Sequence, residues 1–383
     1  MVAWSFYPRV GGSVTTIRQL SESLLEKGIE VHIIAPLLKK DLYKKEDLEI
    51  DKRIEIHWVV SSFAKSYTDF YSRSIFFFKF ITKINNLSKY IDIFQTHDFN
   101  IGFLSAIMGT KKPIVAIFGA DPLFELFYFK RKRCLDYEVF LKNKLILFLQ
   151  KLMNLFISIA SKNKPVVISL SENLNHIIKK YYSGPIVNIP VGINLSLYQK
   201  DGVQSYKDKD TILVVTRFVP WKKIDLAIEV FKEIKKIKRT AKIICIGGGP
   251  LKEYYLNKYK GLEGVTFITD LDYKKTIEYY KSASVLLVTS GYETFGINII
   301  EAMAAGLPIV TSDLDVFSDR LSNGFNCYLV SDIKKEYFSD RIMDLWDNDK
   351  IREIMVKRSL EKVKEYTLDR IRDKYIELYN SLL

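Results

Sequence analysis

The chain has 383 residues, 48% of them hydrophobic and 27% charged, which is typical of a globular protein long enough for two domains. Its three cysteines are scattered and odd in number, and no His, Cys or Asp cluster has ligand spacing, so the sequence predicts neither a disulfide framework nor a metal site. Lys and Arg outnumber Asp and Glu by 58 to 45, and the net charge of +13 favours anionic partners such as nucleic acid, acidic lipid or phosphorylated small molecules.

Short apolar runs alternate with helical patterns through the first 186 residues. A glycine turn at Gly11 and Gly12 precedes a helix over 15–27, which stops at Gly28. Strands separated by helices predict a parallel sheet covered on both faces, so residues 1–186 are expected to form a Rossmann-like domain. The expected strands are 2–6, 30–35, 53–60, 91–96, 114–118 and 166–169.

A polar segment containing Pro190, Gly192 and Gly202 separates the two halves, and residues 187–210 are predicted to be the linker. A second α/β series, predicted as a domain over 211–367, follows, and a last helix is expected over 368–383. The expected strands of the second domain are 211–216, 241–246, 265–268, 284–289 and 307–310, with helices over 224–238, 251–258, 274–282 and up to about 305.

The segment TSGYETFGINIIEAMAAGLPIVTS, residues 289–312, is the strongest functional signal. Glu293 precedes Phe295 and Gly296 in a loop at the end of a strand, where open α/β sheets bind ligands. The amides of Gly296 and Ile297 are expected at a helix start, where the helix dipole favours an anion. Glu301 lies about one turn further along this helix, roughly 5 Å along its axis, where a carboxylate can accept hydrogen bonds from sugar hydroxyls. A site that binds phosphate with backbone amides and sugar hydroxyls with carboxylates is suited to a sugar nucleotide.

This segment closely resembles the signature of the retaining GT-B glycosyltransferases of family four. The resemblance implies an α/β fold of two doubly wound Rossmann-like domains with an interdomain cleft. It also implies transfer of a sugar from a nucleoside-diphosphate sugar to a glycan, lipid-linked or small-molecule hydroxyl acceptor, with retained configuration. In the family, the residue at Glu293 approaches the donor sugar and the residue at Glu301 binds the ribose, beside the loop of Phe295, Gly296 and Ile297. No cofactor or metal ion is expected, because protein cations neutralise the leaving diphosphate.

Two cations follow the first strand of the second domain, in the segment TRFVPWK. An arginine fork at Arg217 and a point charge at Lys222 suit a diphosphate, and the resemblance implies that they bind the donor pyrophosphate. The family usually has glycine immediately after this lysine. Lys223 stands there instead, so the local turn is expected to differ.

Two further loops resemble donor-binding segments of the family. Gly248 lies in a run of three glycines between a strand and a helix, where the missing side chains let a backbone approach a nucleotide. Leu271 follows the strand at 265–268, where the family reads the base with backbone groups. Thr269 replaces the usual glycine, so the resemblance does not identify the base.

Three residues of the first half resemble donor-facing positions of the family. Gly12 belongs to a glycine loop that faces the donor phosphate. Phe118 ends the strand PIVAIF at the position of a catalytic histidine, so that only a backbone carbonyl is retained there. Asp121 follows it and is expected to contact the sugar or the acceptor, although a helix-capping role explains the same carboxylate.

The segment 124–160 mixes cations with many aromatic residues, and 63–80 is similarly aromatic. These residues and the net charge predict contact with an anionic membrane surface, on the cytoplasmic face, while a buried core helix explains the same pattern. Nucleic acid is not expected as a partner, since no binding motif accompanies the charge. A nucleotide-sugar epimerase and a non-catalytic sugar-nucleotide or membrane-binding protein remain the alternatives.

Overall fold

The computed structural model describes residues 1–3, 6, 12–38, 50–61, 70–97, 106–119, 165–198 and 210–383. The chain divides into two compact units. Among the described residues, the first unit contains those up to Gly192 together with Leu368–Leu383, and the second contains Ile193–Thr367. Within the described residues, the chain therefore passes between the units after Gly192 and again after Thr367.

The described part of the first unit has six parallel strands. Strand β1 pairs with β2, and β3, β4, β5 and β6 pair in that order. Val2 forms bridges to Ile34 of β1 and to Thr96 of β3, which joins the two groups. The strands are β1 His32–Leu38, β2 Glu55–Ser61, β3 Phe94–Thr96, β4 Ile114–Phe118, β5 Val166–Ser169 and β6 Ile186–Asn188.

Two predictions for this unit are wrong in detail. Strand β1 continues through Pro36, which was expected to end it, because proline removes only one ladder donor while Pro36 still lies opposite Val59. The expected linker begins inside β6, whose Ile186 pairs with Val167 of β5. The polar Asn188 and the prolines on either side, Pro185 and Pro190, hide this short strand from a composition argument.

The described helices of the first unit pack apolar faces on the sheet or on each other. They are α1 Gly12–Leu25, α2 Phe70–Leu87, α3 Asn175–Tyr181 and, from the end of the chain, α10 Leu368–Asn380. Helix α10 buries Ile371, Tyr375 and Leu378 at helical spacing, and Arg372 Nη1 donates a 3.3 Å hydrogen bond to Ser23 Oγ of α1. None of the described helices is long and apolar enough to cross a membrane.

The second unit contains a six-stranded parallel sheet in the order β12-β11-β10-β7-β8-β9. The strands are β7 Thr211–Val215, β8 Lys242–Ile246, β9 Val265–Ile268, β10 Val285–Val288, β11 Ile309–Ser312 and β12 Tyr328–Val330. The helices are α4 Ile224–Ile237, α5 Lys252–Lys258, α6 Tyr273–Ser282, α7 Ile297–Ala304, α8 Lys335–Asp347 and α9 Asp349–Lys362. On one side of β7 the chain adds β8 and then β9, and on the opposite side of β10 it adds β11 and then β12. The chain order therefore reverses between β7 and β10, which is where such sheets bind ligands.

Candidate functional site

The carboxyl ends of β7 and β10 bring the two strongest sequence motifs together. Thr289, just after β10, donates from Oγ1 to the carbonyl oxygens of Lys222 and Lys223, at 3.0 Å each. The amide of Gly291 donates to the carbonyl of Trp221 at 2.7 Å. Asn298, in the first turn of α7, donates to the carbonyl of Val215 at 3.0 Å. These bonds fix the loop after β7 against the loop that precedes α7.

Lys222 and Glu293 form an ion pair between these loops. The Lys222 ammonium contacts Glu293 Oε1, and the two side chains are only 14% and 8% exposed. Ser290 Oγ donates to the same carboxylate oxygen at 2.9 Å. Two charges that are this shielded from water depend on each other, since removal of one leaves the other without its counter-ion. The sequence predicted one residue for the diphosphate and the other for the sugar, and the structure places them in direct contact.

Glu301 lies inside α7, buried under a group of tyrosine hydroxyls. Tyr280 of α6 donates to Oε2 at 2.7 Å, and Tyr198 donates to Oε1 at 3.2 Å. The hydroxyl of Tyr273 lies 2.7 Å from that of Tyr198. Burial raises the pKa of Glu301 above its usual value, although the hydrogen bonds from Tyr280, Tyr198 and Tyr273 oppose this. These tyrosines were not predicted from the sequence. The one local indication is the spacing of Tyr273 and Tyr280, which lie two helical turns apart and therefore on the same face of α6.

Helix α7 is preceded by Gly296, whose left-handed backbone conformation is one that glycine adopts easily. Gly296 has φ of +80°, and a Cβ there would lie 2.7 Å from a ring carbon of Phe317. No side chain caps the helix start, so the first amides, including that of Ile297, point along the helix dipole towards the loop end. An anion placed there would meet backbone donors.

Phe295 does not face outward from this loop. Its side chain is buried, and its carbonyl accepts a 2.8 Å hydrogen bond from Arg320 Nη2. The Arg320 guanidinium lies 4.1 Å from the centre of the Phe295 ring, with no exposed side-chain surface. The ring of Phe295 thus anchors the loop in the core, and the donor contact at this residue stays a prediction. Arg320 was not predicted from the sequence, because no motif surrounds it.

The turn after Lys222 keeps a left-handed residue without glycine. Lys223 has φ of +48° and ψ of 46°, a conformation that costs an L-residue about 1–2 kcal/mol. Lys223 therefore takes a left-handed backbone, which glycine adopts most easily. Before Leu271, the residue with positive φ is Asp270, at 59°, and not Thr269, which stands at the usual glycine position of the family. The Asp270 carboxylate pairs with Lys252 at 2.7 Å.

The three glycines after β8 differ in how closely they are packed. A Cβ on Gly247 would lie 1.9 Å from the Thr216 carbonyl oxygen, and one on Gly249 would lie 2.7 Å from the Phe218 carbonyl oxygen. Gly248 has open space where a Cβ would be, and its carbonyl accepts a 2.8 Å hydrogen bond from the Phe218 amide. Gly248 is therefore the residue of this loop that can approach a ligand next to Arg217, which is exposed.

The first-unit candidates lie at element ends. Gly12 is the exposed first residue of α1, and its carbonyl accepts a 2.8 Å hydrogen bond from Thr16 Oγ1. Phe118 ends β4 and its side chain is fully buried, so the catalytic position predicted for it offers a backbone but no ring. Asp121 and the aromatic–basic segment 124–160 lie outside the described residues.

Comparison with known proteins agrees with this architecture. The model named Glycosyltransferase Family 4 matches residues 10–197, and the model named Glycosyl transferases group 1 matches residues 199–362. Alpha-monoglucosyldiacylglycerol synthase of Acholeplasma laidlawii is 28% identical over 344 residues, which is 84% of this chain and 82% of that protein.

Two solved structures share the fold over nearly the whole chain. Sucrose-phosphate synthase from Thermosynechococcus elongatus aligns with a TM-score of 0.78 and 18% identity, covering 97% of this chain and 94% of the other. Anabaena HepE, solved with UDP and glucose, aligns with a TM-score of 0.73 and 13% identity, covering 100% and 99%. The resemblance seen in the motifs is confirmed, and the protein belongs to the GT-B glycosyltransferases of family four, the glycosyl transferases group 1, which use nucleotide sugars.

Proposed function

We propose that this glycosyltransferase moves a hexose from a UDP-sugar to a lipid hydroxyl with retention of anomeric configuration. The contact between Lys222 and Glu293 at the switch point of the second sheet carries the proposal. It puts a cation suited to the leaving diphosphate next to a carboxylate suited to the sugar. The structure of HepE was solved with UDP and glucose, and this supports a UDP-hexose as the donor.

Each charged group has a role in this scheme. Arg217, Lys222 and the first amides of α7 stabilise the negative charge that grows on the diphosphate as the bond to the sugar breaks. Glu293 orients the sugar, and Glu301 receives the ribose hydroxyls once the tyrosine hydroxyls around it rearrange or share its oxygens. No metal ion is required, because these protein groups supply the positive charge.

The configuration is tested by NMR of the product formed from an α-linked UDP-hexose and a diacylglycerol or glucosyl-diacylglycerol acceptor. We expect an α-linked product from the wild type. The matched control is Glu293→Gln, which should form no product. A β-linked product would contradict retention. Conversion of the donor to an isomer with no acceptor-linked product would instead identify an epimerase, and donor binding with no turnover would identify a non-catalytic protein.

The lipid acceptor is supported by one exposed surface of α2 and by one relative. Phe78 is 65% exposed on this helix beside Lys79, while Phe76 and Phe80 are buried. An exposed aromatic beside a cation is suited to a membrane interface. The name of the A. laidlawii relative gives a glucolipid as its product.

The lipid surface is tested by sedimentation with vesicles of anionic or neutral composition. We expect binding to anionic vesicles that weakens with salt, and a weaker interaction for Phe78→Ser than for the wild type. Phe325→Ser is the matched control, because Phe325 is also half exposed but belongs to the second unit. Equal binding to neutral and anionic vesicles at low salt would exclude the electrostatic part of this proposal.

A further inference from the structure

Two histidines and two glutamates meet at the amino ends of β1 and β2. His32 begins β1, Glu55 begins β2, and the parallel register places His32 opposite Glu55. His57 follows Glu55 by two residues, so its side chain projects from the same face of the sheet. Twenty-five positions separate the two histidines, which is why spacing along the sequence predicted no metal site.

The three ligand atoms form a small triangle. His32 Nδ1 lies 3.0 Å from His57 Nε2 and 3.3 Å from Glu55 Oε2, and His57 Nε2 lies 3.7 Å from the same carboxylate oxygen. Ligands placed about 2.0–2.1 Å from a tetrahedral Zn²⁺ are roughly 3.4 Å apart. The observed edges scatter around this value, so the three atoms can share one ion with little movement.

A fourth residue orients the first histidine. His32 Nε2 lies 2.8 Å from Glu30 Oε1, so this nitrogen carries the proton and Nδ1 presents its lone pair to the triangle. Zinc-bound histidines almost always donate their far N–H to such an acceptor, which is a carboxylate, a backbone carbonyl or a water. The histidine side chains are 13% and 17% exposed, while Glu55 is 61% exposed, which leaves an open side for a water ligand.

We propose that His32, Glu55 and His57 bind a divalent transition-metal ion, with Zn²⁺ as the preferred occupant and Glu30 as the residue that positions His32. Two imidazoles and one carboxylate are a ligand set that Zn²⁺ accepts, whereas Mg²⁺ and Ca²⁺ prefer oxygen alone.

The position of the site gives the ion a structural role. It lies at the amino ends of the strands, whereas ligands of open α/β sheets bind at the carboxyl ends. Among the described residues, β2 pairs with β1 alone. An ion held by His32 from β1 and by Glu55 and His57 from β2 would crosslink this pair, independently of sugar transfer.

A competing arrangement uses the same atoms without an ion. His57 Nε2 can donate a hydrogen bond to His32 Nδ1, and the near-parallel rings, 5.2 Å apart, fit this as well. The two arrangements differ in stoichiometric metal uptake, which can be measured directly.

The test is calorimetric titration of the full chain with Zn²⁺ at neutral pH after removal of metals with a chelator. We expect one saturable site in the wild type, lost in His57→Ala and in Glu55→Ala. His176→Ala is the matched control and should bind as the wild type does, because His176 is an exposed histidine on α3. Glu30→Gln should weaken binding by about 10- to 100-fold, the usual effect of removing such a positioning carboxylate.

Co²⁺ provides a second readout that adventitious surface binding does not reproduce. The wild type should give the strong visible absorption of tetrahedral Co²⁺, and Zn²⁺ should displace it. Circular dichroism in the chelator checks that each variant is folded, and Glu55→Ala keeps the test valid if His57→Ala unfolds, since Glu55 is largely exposed. Absence of saturable Zn²⁺ binding, or equal losses in His57→Ala and His176→Ala, would overturn the proposal in favour of the hydrogen-bonded histidine pair.

Discussion

Arg217 is the cation whose removal tests diphosphate binding most directly. Its side chain is exposed, so Arg217→Ala should leave the fold unchanged. Loss of charged hydrogen bonds worth about 1.5–3 kcal/mol should weaken UDP binding by about 10- to 100-fold in a calorimetric titration. Arg239→Ala removes another exposed arginine of the same unit and should bind UDP normally. Equal affinities of the two variants would remove Arg217 from the donor site.

Lys222 differs from Arg217 because it is already paired. Lys222→Met leaves the Glu293 carboxylate shielded from water without its counter-ion, which should lower the free energy of unfolding by about 3 kcal/mol. Adding Glu293→Gln should restore most of this loss, because the unpaired charge is then absent. Urea unfolding of the two single variants and the double variant measures the coupling, and additive effects would show that the pair contributes nothing.

Glu301 should make stability depend on pH. Its pKa is higher in the folded protein than in the unfolded chain because burial disfavours the charged carboxylate. Between these two pKa values the folded state holds a proton that the unfolded state has lost, so the free energy of unfolding falls as pH rises through this window. Glu301→Gln should lack this fall when unfolding is measured from acid to neutral pH. A pH dependence that is identical in both proteins would show that Glu301 titrates normally.

At the scale of elements, the glycine loop between β8 and α5 offers a matched pair of substitutions. Gly248→Ala should fold normally, since no atom lies within 4 Å of its added Cβ, yet weaken UDP binding if this backbone approaches the nucleotide. Gly247→Ala should unfold the protein at a lower temperature, because its Cβ would overlap the Thr216 carbonyl. Thermal unfolding and UDP titration of both variants separate packing from binding. Normal UDP affinity in Gly248→Ala would exclude this loop from the site.

The sequence predicts best those features that are carried by neighbouring residues. The strand ends, the glycine loop and the Glu293–Glu301 segment each lie within a short stretch, and the structure places the last of these beside Lys222. The sequence predicts poorly those contacts that join residues far apart along the chain. The bond from Tyr198 to Glu301 joins residues 103 positions apart, and no local pattern announces it. Strand β12 was missed for the same reason, since its pairing with β11 depends on neighbours that only the folded sheet supplies.

Two residues other than glycine have left-handed backbones next to the predicted site. Lys223 and Asp270 both have the positive φ that glycine would adopt most easily. The tight hydrogen bonds around Lys223, from Thr289 and to Pro220, hold the strained conformation. The lysine that stands where the family usually has glycine therefore keeps a left-handed backbone at a cost in strain.

At the scale of the whole molecule, the second unit is expected to fold by itself. It has its own six-stranded sheet and core and contains Arg217, Lys222, Glu293 and Glu301. Residues 193–367 expressed alone should show cooperative unfolding and bind UDP. The first unit without residues 368–383 should not, because α10 covers α1. Circular dichroism and a UDP titration check both fragments, and an unfolded 193–367 fragment would contradict the independence of the unit.

The two passages of the chain between the units run side by side. The amide of Ile193 donates to the carbonyl of Tyr366 at 2.8 Å, and Ile193 and Thr367 form a parallel bridge. Gly192 is pressed against α10, where a Cβ would lie 3.0 Å from Ile371. After one protease cut near Gly192, the second unit would stay attached to the first only through α10, which remains bonded to the second unit and packs on α1. After one cut near Thr367, the two units would stay covalently joined near Gly192. Only cleavage at both would let them be isolated separately, so a nicked preparation should still run as one species under native conditions and as two on denaturing gels.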